Sequence, residues 1–327
     1  MSLHDIGEFG LIEQLRRSVR QGPGVKIGIG DDCAALEVPA GELLLVTNDL
    51  LLENVHFRRD WIDLADLGAK SVAVNLSDIA AMGGVPRYLV LGLGLPSSLT
   101  LGEIDRFLEG FLGEATANEV SLVGGDTCRA EQFLSVSVTA HGTIPASELV
   151  RRKGGRPGDL LYVSGELGGS GLALCQLEAG QKPEPSLACR HFRPRARLSL
   201  GRALASRGLV TSMIDLSDGL LADLHHLLAG DSLGAVLYLD KMPVSEAFDR
   251  VTARRPEWRN LVFNGGEDYE LLFTVPEQQR LEVEKLSEEF DVRITEVGKV
   301  KKGGKPVDVL DAAGNPVSVA AAGFRHF

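Results

Sequence analysis

Cysteine is scarce in this chain, and its few copies are scattered. The 327 residues include four cysteines, at positions 33, 128, 175 and 189, and no two of them form a CxxC pair. This spacing gives no sign of a zinc knuckle or of a redox dithiol. Cys33 and Cys128 lie beside acidic motifs, but we interpret them as small buried hydrophobic residues rather than as nucleophiles.

Long hydrophobic runs are also missing. The longest apolar stretch, around residues 89–96, is interrupted by Gly92 and Gly94. It is far shorter than the roughly 20 apolar residues that a membrane-spanning helix needs. The N-terminal sequence MSLHDIGEFG has neither the basic start nor the apolar stretch of a secretory signal. These features predict a cytoplasmic protein without a membrane segment.

Positive charge is in deficit. The chain has 34 Lys and Arg residues against 45 Asp and Glu residues, which gives a formal net charge of −11 at pH 7. Such a balance disfavours a nucleic-acid backbone as a partner. Anionic ligands of this protein would need help from cations.

The familiar nucleotide-binding signatures are absent too. The sequence has no GxxxxGK[ST] loop and no HRD or DFG triplet, and the Gly-rich GELGGSG at 165–171 does not fit the dinucleotide fingerprint. We interpret that segment as a turn that enters a helix. If ATP binds, metal ions on carboxylates must hold most of its triphosphate, assisted by backbone N–H groups and basic side chains.

What the chain does have is a repeated mixture of helical and strand patterns. Helical patterns cover residues 10–20, 64–82, 101–117, 169–178, 194–205 and 219–229. Apolar or alternating runs typical of strands cover residues 25–29, 43–47, 88–95, 133–144, 160–163, 234–239, 271–275 and 292–299. The charged segment RRKGGRPGD, at 151–159, interrupts the pattern. We therefore predict two α/β domains, residues 1–148 and 149–327, each a mixed sheet flanked by helices.

Aspartates recur where apolar runs end, and others lie in helical segments nearby. The seven that we single out are Asp31, Asp32, Asp49, Asp78, Asp126, Asp215 and Asp218. In open α/β sheets ligands bind outside the carboxyl ends of the strands, so acids at several such ends can converge on one crevice. Without these seven carboxylates the net charge would be −4, so one site would hold most of the excess charge.

Such crowding is unfavourable unless a cation lies among the carboxylates, because like charges raise one another's pKa. Hard oxygen ligands without Cys or His clusters favour Mg²⁺ or Mn²⁺ over zinc. Neighbouring glycines would let a phosphate approach the backbone. For each aspartate alone a turn residue or a helix cap is the more common role, but together they favour a multi-metal phosphate site.

Five motifs, taken in order, resemble those of the thiamine-monophosphate kinases. They are IGIGDDCA, NLSDIAAMGG, LVGGDT, IDLSDGL and NGGEDYEL, and the match spans nearly the whole chain. The resemblance places the chain in the aminoimidazole ribonucleotide synthetase superfamily. It implies the fold of that superfamily, a homodimer built through the N-terminal domains, ATP as co-substrate and several Mg²⁺ ions.

The resemblance also implies roles for individual residues. The implied metal ligands are Asp32, Thr47, Asn48, Asp49, Asp78, Asp126, Asp215 and Asp218, although VTNDLL here replaces a more usual STD-type triplet around Asn48. The implied ATP contacts are Gly125, Asp126, Arg152 and Ser217. The implied contacts to thiamine monophosphate are His56, Glu267 and a C-terminal aromatic residue, Phe324, unless that aromatic aligns with Ala321.

Each of these side chains also has an ordinary structural interpretation. His56 could be a partly buried histidine, Arg152 part of a solvated loop, Glu267 a helix cap and Phe324 a core residue.

The resemblance implies the transfer of a phosphoryl group from ATP to thiamine monophosphate, the last step in making thiamine diphosphate. The acceptor is itself a phosphate with a second pKa of about 6, so it is largely ionised at neutral pH. We therefore predict direct in-line transfer without a general base, a catalytic side chain or a phosphoenzyme.

Four other functions are considered. An aminoimidazole ribonucleotide synthetase remains the fallback among related ATP enzymes. The terminal FRHF lacks the cysteine of hydrogenase-maturation proteins, and the chain lacks the Cys/Lys loop of selenophosphate synthetases. A non-catalytic regulator that binds metal or nucleotide is the alternative from another class.

Overall fold

The computed structural model describes residues 3–19, 21–30, 32–229, 233–303 and 307–319. It divides into two compact units. The first comprises residues 1–79 and 84–147, and the second comprises residues 80–83 and 148–327. Asp31 and Phe324 lie outside the described residues.

The first unit is built around a four-stranded sheet with long strands. In chain order its elements are α1 (Leu3–Ser18), β1 (Val25–Ile27), β2 (Ala35–Leu36), β3 (Glu42–Leu52), α2 (Leu64–Ala81), β4 (Val85–Pro96), α3 (Leu101–Ala117), β5 (Ser121–Ala130) and β6 (Ser135–Pro145). The sheet has the order β3-β6-β4-β5. Strands β4 and β5 are parallel, whereas β6 is antiparallel to β3 and to β4. Strands β1 and β2 form a separate antiparallel pair.

Helix α2 is buried along most of its length, because its apolar and small residues pack on nearly every side. Two glycines bring it close to α3. A Cβ on Gly68 would lie 2.0 Å from the carbonyl oxygen of Phe107, and one on Gly110 would lie 1.8 Å from that of Ala65. Helix α3 begins with a capping box between Thr100 and Glu103. Helix α2 is therefore held at a fixed depth in the unit.

The second unit contains a seven-stranded mixed sheet. In chain order its elements are β7 (Leu160–Ser164), α4 (Gly169–Glu178), α5 (Pro185–Phe192), α6 (Leu198–Ser206), β8 (Ser212–Asp215), α7 (Leu220–Leu228), β9 (Leu233–Tyr238), α8 (Glu246–Thr252), α9 (Leu261–Asn264), β10 (Leu271–Val275), α10 (Arg280–Phe290), β11 (Ile294–Lys302), β12 (Val307–Leu310) and β13 (Pro316–Val317). Its strand order is β13-β12-β9-β11-β7-β10-β8. Short 3₁₀ turns cover Ala146–Glu148, Leu239–Lys241, Pro256–Trp258 and Glu277–Gln279.

This sheet is buried on both faces. Along β7, Leu161 and Val163 belong to a core that includes residues of α4, α5, α7, α8 and α9. Leu160 and Tyr162 belong to a second core that includes residues of α6 and α10. Because strand side chains alternate between faces, near-continuous apolar strands are the sequence counterpart of a doubly covered sheet.

The predicted architecture, two α/β domains with mixed sheets flanked by helices, is confirmed. Two other expectations were wrong. Asp49 and Asp126 lie inside strands rather than after them, because β3 continues to Leu52 and β5 to Ala130. The side chains of Cys33 and Cys128 are exposed, so neither is the buried hydrophobic residue that we expected. Among the described residues, no helix is long and apolar enough to cross a membrane.

Candidate functional site

A cluster of oxygen-bearing side chains joins strand β3 to helix α2. The Thr47 hydroxyl donates to Asp78 Oδ2 at 2.5 Å, and the backbone N–H of Asp49 donates to Asn75 Oδ1 at 3.1 Å. Asn75 is fully buried, and its Nδ2 donates to the carbonyl oxygen of Ser71 at 3.0 Å. Since Thr47 and Asp49 are two residues apart in a strand, both face the helix. The two carboxylates, which we call the Asp49–Asp78 pair, are therefore positioned by secondary structure.

The electrostatics of the pair favour a cation beside it. Burial raises the pKa of Asp49 from 3.8 to about 6, and repulsion from the Asp78 carboxylate adds to that increase. A cation beside the pair would reverse this effect. The oxygen atoms near the pair are those of a hydroxyl and an amide, and oxygen ligands suit Mg²⁺ better than zinc.

The raised pKa predicts how Asp49 affects the stability of the metal-free protein. The pKa of Asp49 is about 6 in the folded protein, above the ordinary value of 3.8 that applies to the unfolded chain, so the folded state binds the proton more tightly. Ionised Asp49 therefore destabilises the fold increasingly as pH rises from about 4 to above 6. We expect Asp49→Asn to raise the free energy of unfolding at pH 8 in EDTA by roughly 1–2 kcal/mol. This is less than the free energy equivalent to the whole pKa shift, because the site is partly solvated. Urea denaturation at several pH values measures this. The difference between the proteins should narrow below pH 6, and a constant difference would contradict the prediction.

Asn48 and Asp126 lie on the opposite face of the same sheet. The Asn48 amide donates across the strand pair to Ser137 Oγ at 3.1 Å and to Thr139 Oγ1 at 2.9 Å. Asp126 is paired with Gly92, which is paired in turn with Ser137. Residues directly opposite each other in a sheet share a face. Asn48 and Asp126 therefore share one face, whereas Thr47 and Asp49 share the other.

Gly125, next to Asp126, lies on the face that carries Asp49. The cross-strand row runs from Asp49 through Val138 and Leu91 to Gly125. A Cβ on Gly125 would lie only 2.1 Å from the Leu91 carbonyl oxygen. The close packing of neighbouring strands therefore requires glycine here.

His56 lies in a heavily braced turn after β3. The backbone N–H of Leu52 donates to His56 Nδ1 at 3.1 Å, so the neutral ring carries its proton on Nε2. Glu53 braces the same turn, accepting from Arg59 Nε at 2.7 Å and from the backbone N–H of Leu134 at 2.8 Å. The turn therefore fixes the tautomer of His56.

Asp32 lies in the loop between β1 and β2 and is exposed. Within each unit, no three His, Cys, Asp or Glu side chains of the described segments form a group that could hold a metal ion. The convergence of many carboxylates that we expected is therefore not found within either unit. Mg²⁺ commonly uses one or two carboxylates and takes its remaining ligands from phosphates and water, so the Asp49–Asp78 pair suffices for one ion.

The other predicted metal ligands belong to the second unit. Asp215 is the last residue of β8 and is buried, and Ser217 and Asp218 follow in the loop that enters α7. The Asp223 carboxylate accepts the backbone N–H groups of Asp218 at 3.1 Å and Gly219 at 3.2 Å. Burial raises the pKa of Asp223 to about 7 despite these bonds. The loop is thus tied to the first turn of the helix that follows it.

The segment 265–270 adopts an unusual backbone conformation beside that loop. Glu267 has φ +63° and Tyr269 has φ +50°, in the left-handed region that non-glycine residues seldom occupy. The Glu267 N–H donates to the Ser217 carbonyl at 2.8 Å, and the Tyr269 N–H donates to that of Leu216 at 2.8 Å. Such strain costs roughly 1–3 kcal/mol per residue and is typical of functional segments.

Two carboxylates in the same segment accept hydrogen bonds from neighbouring elements of the second unit. Asp268 accepts the backbone N–H groups of Gly168 at 2.6 Å and Ser170 at 3.3 Å, while burial raises its pKa to about 7. Glu270 accepts from the Ser164 hydroxyl at 2.6 Å and from Arg197 Nε at 2.6 Å. Sequence reasoning considered Asp268 only as a helix cap and assigned no role to Glu270, although alternating acids in NGGEDYEL were a signal.

Arg152 is exposed in the loop that precedes β7. The backbone carbonyl of the adjacent Arg151 accepts the N–H of Met213 at 3.1 Å, which ties this loop to edge strand β8. A Cβ on Gly154 would lie 2.3 Å from the carbonyl oxygen of Thr211. The loop therefore runs beside the strand that ends at Asp215.

Comparison with known families identifies the class of protein. Residues 30–144 match the family described as AIR synthase related protein, N-terminal domain, and residues 156–311 match the corresponding C-terminal domain. The chain belongs to this AIR synthase related family. A hydrogenase maturation protein HypE in complex with ATP shares the fold, with a TM-score of 0.81 at 19% identity over 97% of this chain and 96% of that one.

Nearer relatives narrow the class. The thiamine-monophosphate kinase of Escherichia coli strain K12 is 38% identical over 98% of both chains, and that of Bacillus subtilis is 31% identical over 98% of this chain and 99% of the relative. The crystal structure of the Stenotrophomonas maltophilia K279a kinase has a TM-score of 0.84 at 36% identity, covering 95% of this chain and 98% of that one. AaThiL complexed with AMPPCP and TMP has a TM-score of 0.76 at 33% identity, covering 100% of this chain and 99% of that one. The chain belongs to the thiamine-monophosphate kinase family.

Proposed function

We propose that this protein transfers the terminal phosphoryl group of ATP to the phosphate of thiamine monophosphate, which yields thiamine diphosphate and ADP. The observation that carries the proposal is similarity to thiamine-monophosphate kinases over nearly the full length of both chains. A solved relative bound to an ATP analogue and TMP supports the two substrates. The cytoplasm, which supplies ATP and Mg²⁺, is the proposed compartment.

Oxygen ligands of the side chains are proposed to hold Mg²⁺. The Asp49–Asp78 pair fits such an ion, because its carboxylates repel each other and Thr47 adds a hydroxyl. The remaining proposed ligands are Asp32, Asn48, Asp126, Asp215 and Asp218. Asn48 and Asp126 lie on the other face of their sheet, so they would not share an ion with the Asp49–Asp78 pair. When bound, Mg²⁺ would neutralise phosphate oxygens and so lower the repulsion between two polyanions.

The nucleotide and the acceptor are assigned to separate groups of residues. We propose that Gly125, Asp126, Arg152 and Ser217 contact ATP. His56, held as the Nε2–H tautomer, would donate a hydrogen bond to thiamine monophosphate. The Glu267 carboxylate would face its cationic thiazolium or its aminopyrimidine. Phe324 remains the proposed aromatic contact.

The side chains are proposed to bind and orient rather than to exchange protons. The acceptor phosphate is already ionised near neutral pH, so a general base is unnecessary. Direct in-line transfer then requires only that donor and acceptor be aligned and their charge compensated. Rapid-quench labelling with γ-³²P ATP tests this, since a protein-bound phosphate that forms and decays at the turnover rate would contradict it.

A homodimer built through the four-stranded sheet is also proposed. The outer face of edge strand β3 exposes Leu44, Val46 and Leu50, whose relative exposures are 47%, 59% and 48%. An eleven-residue edge strand with exposed apolar side chains invites association and is usually covered. A second copy of the same sheet would cover these side chains.

Charge on that strand face is expected to weaken the dimer. We expect Val46→Lys combined with Leu50→Lys to shift the protein to a monomer at micromolar concentration, because two lysines per chain would have to be desolvated at the interface. Sedimentation velocity measures this shift. Leu281→Lys, at an exposed leucine of α10, serves as the matched control. A wild-type monomer, or a double variant that remains dimeric, would contradict the proposed interface.

Acceptor dependence tests the proposed reaction. We expect ATP consumption with thiamine monophosphate to yield thiamine diphosphate stoichiometrically, and no such consumption with thiamine or without acceptor. Turnover with formylglycinamidine ribonucleotide would instead indicate the ribonucleotide synthetase. Nucleotide binding without turnover of any acceptor would indicate the regulator.

A further inference from the structure

A buried histidine on helix α5 lies beside the proposed substrate-binding carboxylate. The relative exposure of His191 is 5%, and its Nδ1 atom lies 2.9 Å from Ser170 Oγ and 3.3 Å from Glu267 Oε2. The side chain of Glu267 is 24% exposed. Glu267 is therefore held from inside the protein while part of its carboxylate still reaches the surface.

The contact with Glu267 favours a proton on Nδ1 of the His191 ring. A carboxylate can only accept hydrogen bonds, so its closeness to Nδ1 is attractive when that nitrogen carries a proton. The Ser170 oxygen then shares the same donor. The opposite tautomer would place two electron-rich atoms against each other in a buried position, which is unfavourable.

The backbone around Glu267 is held in place without the help of His191. The left-handed conformation of Glu267 is maintained by its N–H bond to Ser217, and the neighbouring Asp268 is anchored on Gly168 and Ser170. Helix α5 also supplies Arg190, whose Nη2 lies 2.5 Å from Glu166 Oε2. The backbone is thus fixed independently, and what His191 adds is the direction of the Glu267 side chain.

We infer that His191 is a positioning residue for substrate recognition: its Nδ1–H holds one oxygen of Glu267 so that the carboxylate faces the cationic part of the acceptor. The inference rests on the proposed role of Glu267 in binding thiamine monophosphate. It assigns His191 to acceptor affinity and gives it no part in phosphoryl transfer or in nucleotide binding.

Two substitutions at position 191 separate positioning from packing. His191→Phe keeps a ring and removes the donor, whereas His191→Asn places an amide N–H near the position of Nδ1. We expect the phenylalanine variant to raise the KM for thiamine monophosphate about tenfold, the cost of one buried charged hydrogen bond, and to leave the KM for ATP within about twofold. The asparagine variant should recover most of the acceptor affinity.

Glu267→Gln identifies which proposal fails if one does. A raised KM for thiamine monophosphate in Glu267→Gln with an unchanged KM in His191→Phe would overturn the inference alone. An unchanged KM in Glu267→Gln would overturn both the inference and the proposed role of Glu267. Equal increases in the KM values for both substrates would also overturn the inference, because they indicate a general structural defect.

A spectroscopic measurement on the wild-type protein does not depend on how these variants fold. Nitrogen-15 spectra of the histidine rings are expected to show His191 with a proton on Nδ1. An Nδ1 without a proton in the wild-type protein would overturn the inference.

Discussion

Asparagine at position 49 is expected to lower kcat for thiamine monophosphate phosphorylation by about two to three orders of magnitude, the usual cost of removing one preorganised charge-stabilising group. Asp49 lies on β3 with its backbone fixed by buried Asn75, so the substitution changes charge without moving the strand. The remaining carboxylate, Asp78, would hold a cation less tightly. Steady-state turnover at saturating ATP, with Mg²⁺ varied, measures the loss and its partial rescue by excess metal.

Asp105→Asn is the matched control for this substitution. Asp105 is an exposed residue of α3 whose carboxylate accepts from the Gln14 amide at 2.7 Å. Its replacement should leave kcat within about twofold, as is usual for surface substitutions. Wild-type turnover in Asp49→Asn would remove Asp49 from the site. In the absence of metal at pH 8, Asp49→Asn is expected to be more stable than the wild type. A loss of turnover in Asp49→Asn could therefore not be attributed to unfolding.

The largest expected effect on stability comes from Arg197→Met. The side chain of Glu270 is 3% exposed and accepts from Arg197 Nε at 2.6 Å and Nη2 at 2.5 Å. Methionine would leave this buried carboxylate without its main counter-charge. Breaking such a pair from one side typically costs about 3–5 kcal/mol, so the free energy of unfolding should fall by that amount. Urea denaturation followed by circular dichroism measures it.

An exposed pair of the same kind provides the comparison. Arg207 and Glu289 also form a two-pronged pair, but their side chains are 47% and 43% exposed. Arg207→Met should therefore cost no more than about 1 kcal/mol. Similar losses in the two variants would show that burial does not set the strength of the Arg197–Glu270 pair.

Local patterns were sufficient to predict much of the fold. Helix α3 occupies the predicted residues, 101–117, because an apolar stripe and the Thr100 cap both mark it. Helix α10 was not predicted, since RLEVEKLSEEF buries little besides Val283 and Leu286. Helix α5 was missed for a similar reason, because only Leu187 and His191 among its eight residues are buried.

The candidate site depended more on tertiary structure. Asp49 and Asp78 were predicted from the sequence as metal ligands. That the buried amide of Asn75 fixes the strand beside them is visible only in the folded structure. Alternation along β3 could have indicated that Asn48 faces away from its neighbours. The left-handed backbone conformation of Glu267 could not be predicted from the sequence, because glutamate has no preference for it. The conformation results from contacts with the loop after β8.

Equilibrium binding of a non-hydrolysable ATP analogue, with Mg²⁺ or with excess EDTA, tests the role of the carboxylates most directly. Chelation is expected to weaken binding at pH 7.5 by at least about a hundredfold, because an acidic site without metal repels a triphosphate. Asp49→Asn is expected to show a smaller difference in affinity between Mg²⁺ and EDTA. Equal affinity of the wild-type protein with Mg²⁺ and with EDTA would contradict the proposed role of the carboxylates.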